Sequence, residues 1–501
     1  MLMSCTTWRW LNNEKTRGFN RIFCLGLSNG EEVIARMPFR NAGSRHLTTR
    51  SEVATMDFLR SRLGALVPKV LAWEASPNNA VGCEYIIMEK CPGDALAVHE
   101  RISSSSLAHM AEIYAKLAKV TFSQYGSIYY KEDVSPDLQT RPLYSEGFPE
   151  DDCAKKFRIG SSVDRIFYRG ERSSMNIDHG PWPNINPYIR AVTICEIDWI
   201  RQHSNLPQAQ LQPGARHKPE QHISLLERWL CLSSAVLPTE SQLNAPVLSH
   251  PDLHAANLFV RSPTPAAIPG STECTGVADT AKSKPPSSDI TGIIDWQGAT
   301  VRPLFETVVP QFLEVTPNNL TFVKLPGAFE PPAVLVNADK LSVREQATIK
   351  RELALVDVMQ QPTTTYFASH SWSDGLPNLE RVLINLHAAY GKGIPAHPNY
   401  PECPVTFSTE DQKRCDQEFD QIVGIEEKIE NALQITLMEK GIDLHPVGAV
   451  FAEDFEEAQK EVARFLADLL EDANSHQADV IRRLWPTREG RFVHGAESCV
   501  D

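Results

Sequence analysis

His250-Pro251-Asp252-Leu253-His254-Ala255-Ala256-Asn257 runs straight into the apolar Leu258-Phe259-Val260, and farther along the chain reads Ile293-Ile294-Asp295-Trp296. The pattern predicts a loop feeding one short strand, with a second carboxylate at the end of another. An Asp, an Asn five positions on and a later Asp are what phosphoryl transfer asks for. A hydroxyl nucleophile needs a carboxylate at hydrogen-bond distance to orient it and take its proton, the role expected of Asp252. Magnesium (Mg2+) takes hard oxygen ligands and bridges a few protein oxygens to phosphate oxygens, the role expected of Asn257 and Asp295. Two other readings fit the same residues. His250, Asp252 and His254 on alternate strand positions would share a face as metal-hydrolase ligands, though no second cluster of this kind completes the set. Alternatively, His250 packs structurally while the Asp and Asn cap turns. His254 alone reads as a loop-stabilising residue.

Outward from that loop, the N-terminal residues read as strands with one helix. Phe23, Leu25 and Leu27 alternate, and Asn29-Gly30 supplies a hairpin turn because both residues tolerate positive φ. On the return strand, Glu31 to Met37, period two puts Ile34 and Arg36 on one face. Ile34 is placed to cover an adenine and Arg36 to reach its phosphates. Thr49-Arg50-Ser51-Glu52 is a capping-box pattern opening a helix with Val53, Met56, Leu59 and Leu63 on one face. Glu52 is placed to orient Arg36 through an ion pair; the plainer readings are a capping role for Glu52 and a solvated charge for Arg36. A further strand, Tyr85 to Met88, leads to Glu89 and Cys91, whose backbone groups can meet adenine, and then to a Pro92-Gly93 hinge.

Beyond about residue 100 the character turns helical. Leu107, Met110, Tyr114, Leu117 and Thr121 mark one stripe, and Ile189 to His203 another helix. Residues 127–190 read as irregular, with Asp151, Asp152 and Asp178 as solvated loop charges. Residues 262–289 are rich in Ser, Thr, Pro, Ala and Gly and read as a flexible insertion, which costs little because loop entropy grows slowly with length. Two amphipathic helices close the chain, one carrying Ile422, Ile429, Leu433 and Leu437, the other Phe455, Val462, Phe465 and Leu469. The expected architecture is a bilobal α+β fold. Residues 1–91 form a small antiparallel-sheet nucleotide lobe, 92–400 a mainly helical catalytic lobe, and 401–501 a helical extension packed on it.

The 501 residues are 42% hydrophobic and 22% charged, as in globular proteins. A net charge of -14 disfavours nucleic acid as a partner. No run of about eighteen apolar residues predicts a membrane span. The 11 cysteines include no CxxC pair, which suits a reducing compartment and offers no zinc spacing. The N-terminus holds Arg9, Arg17 and Arg21 but also Glu14, and lacks the apolar core of a secretory signal.

These motifs resemble the aminoglycoside phosphotransferase family, whose catalytic loop reads His-Gly-Asp-x-x-x-x-Asn and whose metal site reads Ile-Asp-Trp or Ile-Asp-Phe. Pro251 stands in place of the Gly. A wider likeness is to the fungal family called altered inheritance of mitochondria protein 9. It is carried by Trp8-Arg9-Trp10-Leu11, Phe19-Asn20, Ile34 to Pro38, Ser51 to Met56, Glu84 to Glu89, Gly180-Pro181-Trp182 and Ile294 to Gln297. The resemblance implies a protein-kinase-like fold, ATP and magnesium as cofactors, and transfer of the γ-phosphoryl group to a hydroxyl of a small molecule. It also implies a mitochondrial association, with the cytoplasm as the alternative. Arg36 departs from the Lys of many such enzymes, and Gly18-Phe19-Asn20 offers one glycine where a Gly-rich phosphate loop is usual. Those departures keep a second expectation open, a nucleotide-binding pseudokinase that serves mitochondrial maintenance through protein contacts. Protein substrates fit less well, because no Ala-Pro-Glu ending follows Asp295.

Overall fold

The computed structural model describes residues 9–17, 19–39, 42–96, 104–204, 218–237, 241–261, 290–307, 368–369, 376–390, 397, 399–440 and 455–471. The insertion expected at 262–289 lies outside them. The N-terminal part is a five-stranded antiparallel sheet built from β1 (Arg9–Arg17), β2 (Asn20–Gly26), β3 (Glu32–Pro38), β4 (Val70–Glu74) and β5 (Tyr85–Glu89), in the order β1-β2-β3-β5-β4. Gly30, at φ 85°, makes the β2–β3 turn that its sequence predicts. The registers Ile22↔Arg36 and Ile34↔Met88 centre β3 in the sheet.

Helix α1 (Leu47–Leu63) crosses this sheet and starts ahead of the expected capping box. Its N-cap is His46, at φ 66°, with no side-chain cap. Glu84 explains the shift, because its carboxylate takes both the His46 N–H at 3.1 Å and the Thr49 hydroxyl at 2.7 Å. Thr49 is therefore an interior helix residue, and Glu52 is not used as a cap.

The chain leaves the sheet through Pro92-Gly93 into β6 (Asp94–Ala95) and α2 (Ser104–Ala118). Gly93 has φ 87°, and a Cβ there would lie 2.0 Å from the Val260 carbonyl oxygen, so only glycine fits this crossing. The stretch expected to be irregular carries a short antiparallel pair, β7 (Ser127–Tyr130) with β8 (Phe157–Gly160), plus short helices α3 (Pro136–Gln139) and α4 (Asp152–Lys156). Then come α5 (Ile185–His203), α6 (Pro219–Val236), β9 (Pro246–Ser249), β10 (Leu258–Val260), β11 (Ile290–Ile293) and β12 (Thr300–Pro303). α5 begins earlier than its apolar stripe suggests because Asn184 caps it. Helices α7 (Leu376–Ala389), α8 (Thr409–Glu439) and α9 (Phe455–Glu471) complete the described fold.

Two cores divide this architecture. One joins Phe58 and Leu59 of α1, Ile86 of β5, Phe157 of β8, Leu258 of β10, Ile293 and Trp296, so it runs under both lobes. Phe58 is fully buried, edge-on to Phe157, and such a side chain contributes about 1.5–3 kcal/mol by leaving water. The other gathers α5, α6, α7 and Cys415 of α8 around Trp229 and Leu379. Leu433 and Leu437 of α8 meet Val462 and Phe465 of α9, as the amphipathic stripes predict. No helix among the described residues is long and apolar enough to cross a membrane.

Candidate active site

β9 delivers the catalytic-loop residues, and His250 organises them from below. Its Nδ1 accepts the Asp252 backbone N–H at 3.1 Å, and its Nε2 donates to the Ile294 carbonyl at 2.9 Å. The ring packs edge-on to Trp296 at 4.5 Å. Burial holds the imidazole down to about 4, so it is neutral at ordinary pH. With both nitrogens committed, His250 is no metal ligand, which removes the hydrolase arrangement. Its structural role also ties the Asp252 loop to the strand end that carries Asp295.

Asn257 is buried in a single turn after this bend. Its Nδ2 donates to the Asp252 carbonyl at 2.8 Å, and its own carbonyl accepts the Ile294 N–H at 3.0 Å. The amide nitrogen is thereby spent on holding the loop, and the amide oxygen is the atom suited to a cation. Asp252 presents a side chain 71% exposed, with Oδ2 3.4 Å from His254 Nε2. His254 Nδ1 accepts the Ala256 N–H at 3.1 Å, consistent with a loop-stabilising residue.

The second half of the site is an ion cluster in which Arg36 and Glu52 are buried and Asp295 is partly exposed. Arg36 of β3 donates through Nη2 to Glu52 of α1 and through Nη1 to Asp295 Oδ1 at 3.2 Å. Neither plainer reading survives, since Arg36 is not solvated and Glu52 is not a cap. Burial pushes the Glu52 carboxyl up to about 7 against the pull of Arg36, and the Asp295 charge adds to the upward push. Asp295 has φ 65°, a conformation rare for a non-glycine residue, and its side chain stays 41% exposed. The Arg36 Nε is buried with no hydrogen-bond partner. The Asn257 amide oxygen and the Asp295 carboxylate are hard oxygens of the kind that could hold a magnesium ion. Among the described residues no group of three or more His, Cys, Asp or Glu side chains is arranged to hold a metal.

Ile34 is half-buried beside Arg36 on β3, against the core. Glu89 ends β5 with its carboxylate turned to Lys69 N–H at 3.0 Å and Arg60 at 3.3 Å and its own N–H donated to the Lys69 carbonyl at 2.9 Å, leaving any nucleotide contact to its backbone carbonyl. Cys91 is buried against Gly292, where a Cβ would lie 2.4 Å from its Sγ, and burial pushes its thiol up to about 12. Its side chain is packing, so a role toward adenine again falls to the backbone. The acidic residues of the middle region are surface groups: Asp151 caps α4 and pairs with Arg62, Asp152 pairs with Lys155, and Asp178 accepts from Trp182 Nε1 at 3.0 Å.

The motif reading assigned no role to two further contacts. Asn20 and Gln297 exchange side-chain hydrogen bonds at 2.8 and 3.3 Å across the cleft. Arg165 lies 3.5 Å above the ring of Phe19. Gln297 stands two residues from Asp295, and that proximity was the available signal.

The site therefore lies where a small sheet meets a helical lobe, with a carboxylate–amide loop facing a guanidinium. The profile of the Phosphotransferase enzyme family matches residues 19–270, just over half of the chain, and the chain belongs to that family. Its architecture is α+β, a five-stranded antiparallel sheet followed by a mainly helical part. A subtelomeric hrmA-associated cluster protein of Aspergillus fumigatus is 28% identical, over 94% of this chain and 95% of its own length. The mitochondrial protein called altered inheritance of mitochondria protein 9 of Candida tropicalis is also 28% identical, over 59% of this chain. The match spans 48% of that relative. Among solved structures, a thermostable mutant of an aminoglycoside phosphotransferase is 14% identical with a TM-score of 0.34, covering 81% of this chain and 92% of its own. Plasmodium vivax ethanolamine kinase is 9% identical with a TM-score of 0.35, covering 76% of this chain and 78% of its own.

Proposed function

We propose that the protein transfers the γ-phosphoryl group of ATP to a hydroxyl of a small molecule. The observation that carries this reading is the joining of three parts: His250 and Asn257 bind the Asp252 loop to the Ile294 backbone, and Arg36 of β3, held by Glu52, pairs with the adjoining Asp295. A guanidinium beside this carboxylate and amide is the kind of group that steadies phosphate oxygens. Ile34 would lie against adenine, and the backbone of Glu89 and Cys91 would meet its edge. Asp252 orients the acceptor hydroxyl and takes its proton as the oxygen bonds to phosphorus; the bond from phosphorus to the bridging oxygen breaks, and ADP leaves. Asn257 Oδ1 and Asp295 would hold magnesium, which would supply charge neutralisation on the phosphates. Work in the mitochondrion is part of the proposal, on the strength of the Candida relative's name.

The test is phosphoryl transfer from labelled ATP into a panel of hydroxyl-bearing small molecules, with wild type and Asp252→Asn. Wild type should transfer label, and the variant should lose about 10²–10⁴ in rate while keeping its nucleotide affinity. Full turnover in the variant would remove Asp252 as the base. A second reading, a nucleotide-binding scaffold without turnover, is favoured by one feature: Arg36 is tied to Asp295, the same carboxylate a metal needs. Nucleotide binding without transfer to any acceptor would support it.

A further inference from the structure

A kinase-like site without a glycine-rich loop needs another way to hold its phosphate-facing turn. Glycine-rich loops work because backbone N–H groups can approach the phosphates closely. Here Arg17↔Asn20 pairs β1 with β2, and the sequence around it has no run of glycines. The residues that leave this turn, Phe19 and Asn20, are instead gripped by side chains from the other lobe.

Both grips trace to one short stretch, Asp295 to Arg302. Gln297 exchanges two hydrogen bonds with Asn20, which is 5% exposed. Arg302 reaches through Nη2 to Asp164 Oδ2 at 2.5 Å, and its Nε is steadied by Thr300 Oγ1 at 3.0 Å. Asp164 caps the turn that begins at Arg165, and the Arg165 guanidinium stacks 3.5 Å above Phe19. The stretch that carries the candidate metal ligand therefore holds the β1–β2 turn from two sides. Such contacts fix the geometry before a ligand arrives, which lowers the ordering cost of binding.

We infer that Asn20 and Gln297, backed by Arg165 on Phe19, are positioning residues that hold the β1–β2 turn over the phosphates of a bound nucleoside triphosphate. The inference rests on the phosphotransferase reading and says which residues replace the flexible loop. The amide pair couples the turn to Asp295, so it acts on the phosphate end of the ligand and leaves the nucleoside end alone.

The experiment titrates the full chain with magnesium–ATP and, separately, with adenosine. It compares wild type, Asn20→Ala, Gln297→Ala, the double alanine variant and the exchanged pair Asn20→Gln with Gln297→Asn. Thermal unfolding is recorded for each. Losing a pair of amide hydrogen bonds should weaken magnesium–ATP by roughly tenfold in each single variant. The double variant should be no weaker than either single one, because the two side chains act as a unit. Adenosine affinity should stay within twofold of wild type, and the exchanged pair should recover most of the loss. A merely structural contact would lower both affinities together, and that outcome overturns the inference, as does unchanged magnesium–ATP binding in folded single variants. Wild type that binds no nucleotide overturns the phosphotransferase reading itself, and the clamp with it.

Discussion

The Arg36 corner and the Asp252 loop serve one site but are held by opposite forces. Arg36 and Glu52 are buried, and their geometry is set by charge against charge in a poorly solvated interior. Asp252 is exposed, and its position is set by neutral contacts: the His250 ring on its N–H and the Asn257 amide on its carbonyl. The difference follows from what each part must meet. On the proposed function, a guanidinium meeting phosphate would attract it more strongly in a low dielectric, with the carboxylates beside it offsetting the cost of burial. On the same proposal, a base for an incoming hydroxyl would face the solvent through which the acceptor arrives.

That contrast is open to mutation. Arg36→Ala strands the Glu52 carboxylate and should cost about 3–5 kcal/mol in denaturant unfolding. Arg36→Met combined with Glu52→Leu should recover most of that stability while leaving nucleotide binding lost. Recovery of binding in the double variant would break the claim that the corner exists for phosphate. The loop half is probed by pH. The unfolded His250 ring takes its proton near the usual 6.5, whereas the folded one refuses it until about 4. The unfolded chain therefore binds more protons in that window, and His250 makes the fold less stable as pH falls from about 6.5 to 4. The stability gap between wild type and His250→Gln should narrow by roughly 3 kcal/mol between pH 7 and pH 4. A constant gap would mean that the ring is not held neutral. The smallest effect is expected at Asp152, exposed beside Lys155, where Asp152→Asn should change stability by less than about 0.5 kcal/mol and leave turnover untouched.

Local pattern carried the loop, the hairpin and the period that sets Ile34 beside Arg36, because each depends on residues a few positions apart. The Asp252–Asn257 contact is local in the same way, whereas Asp295 is brought to that loop from far along the chain by the Ile294 backbone contacts. The start of α1 was not, because Glu84 supplies the acceptor that a local cap would have provided, and nothing in the helix sequence reports it. The β7–β8 pair stayed hidden behind short strands with no long alternation. The Asn20–Gln297 contact joins residues 277 positions apart, so no spacing rule reaches it. Helices α6 and α7 owe their place to a core assembled from distant segments around Trp229 and Leu379.

The most direct test is a calorimetric titration of ATP, with and without magnesium, into wild type and Asp295→Ala. Binding in wild type should depend on magnesium and be lost in the folded variant. Equal binding in both proteins, or none in folded wild type, would contradict the proposed function.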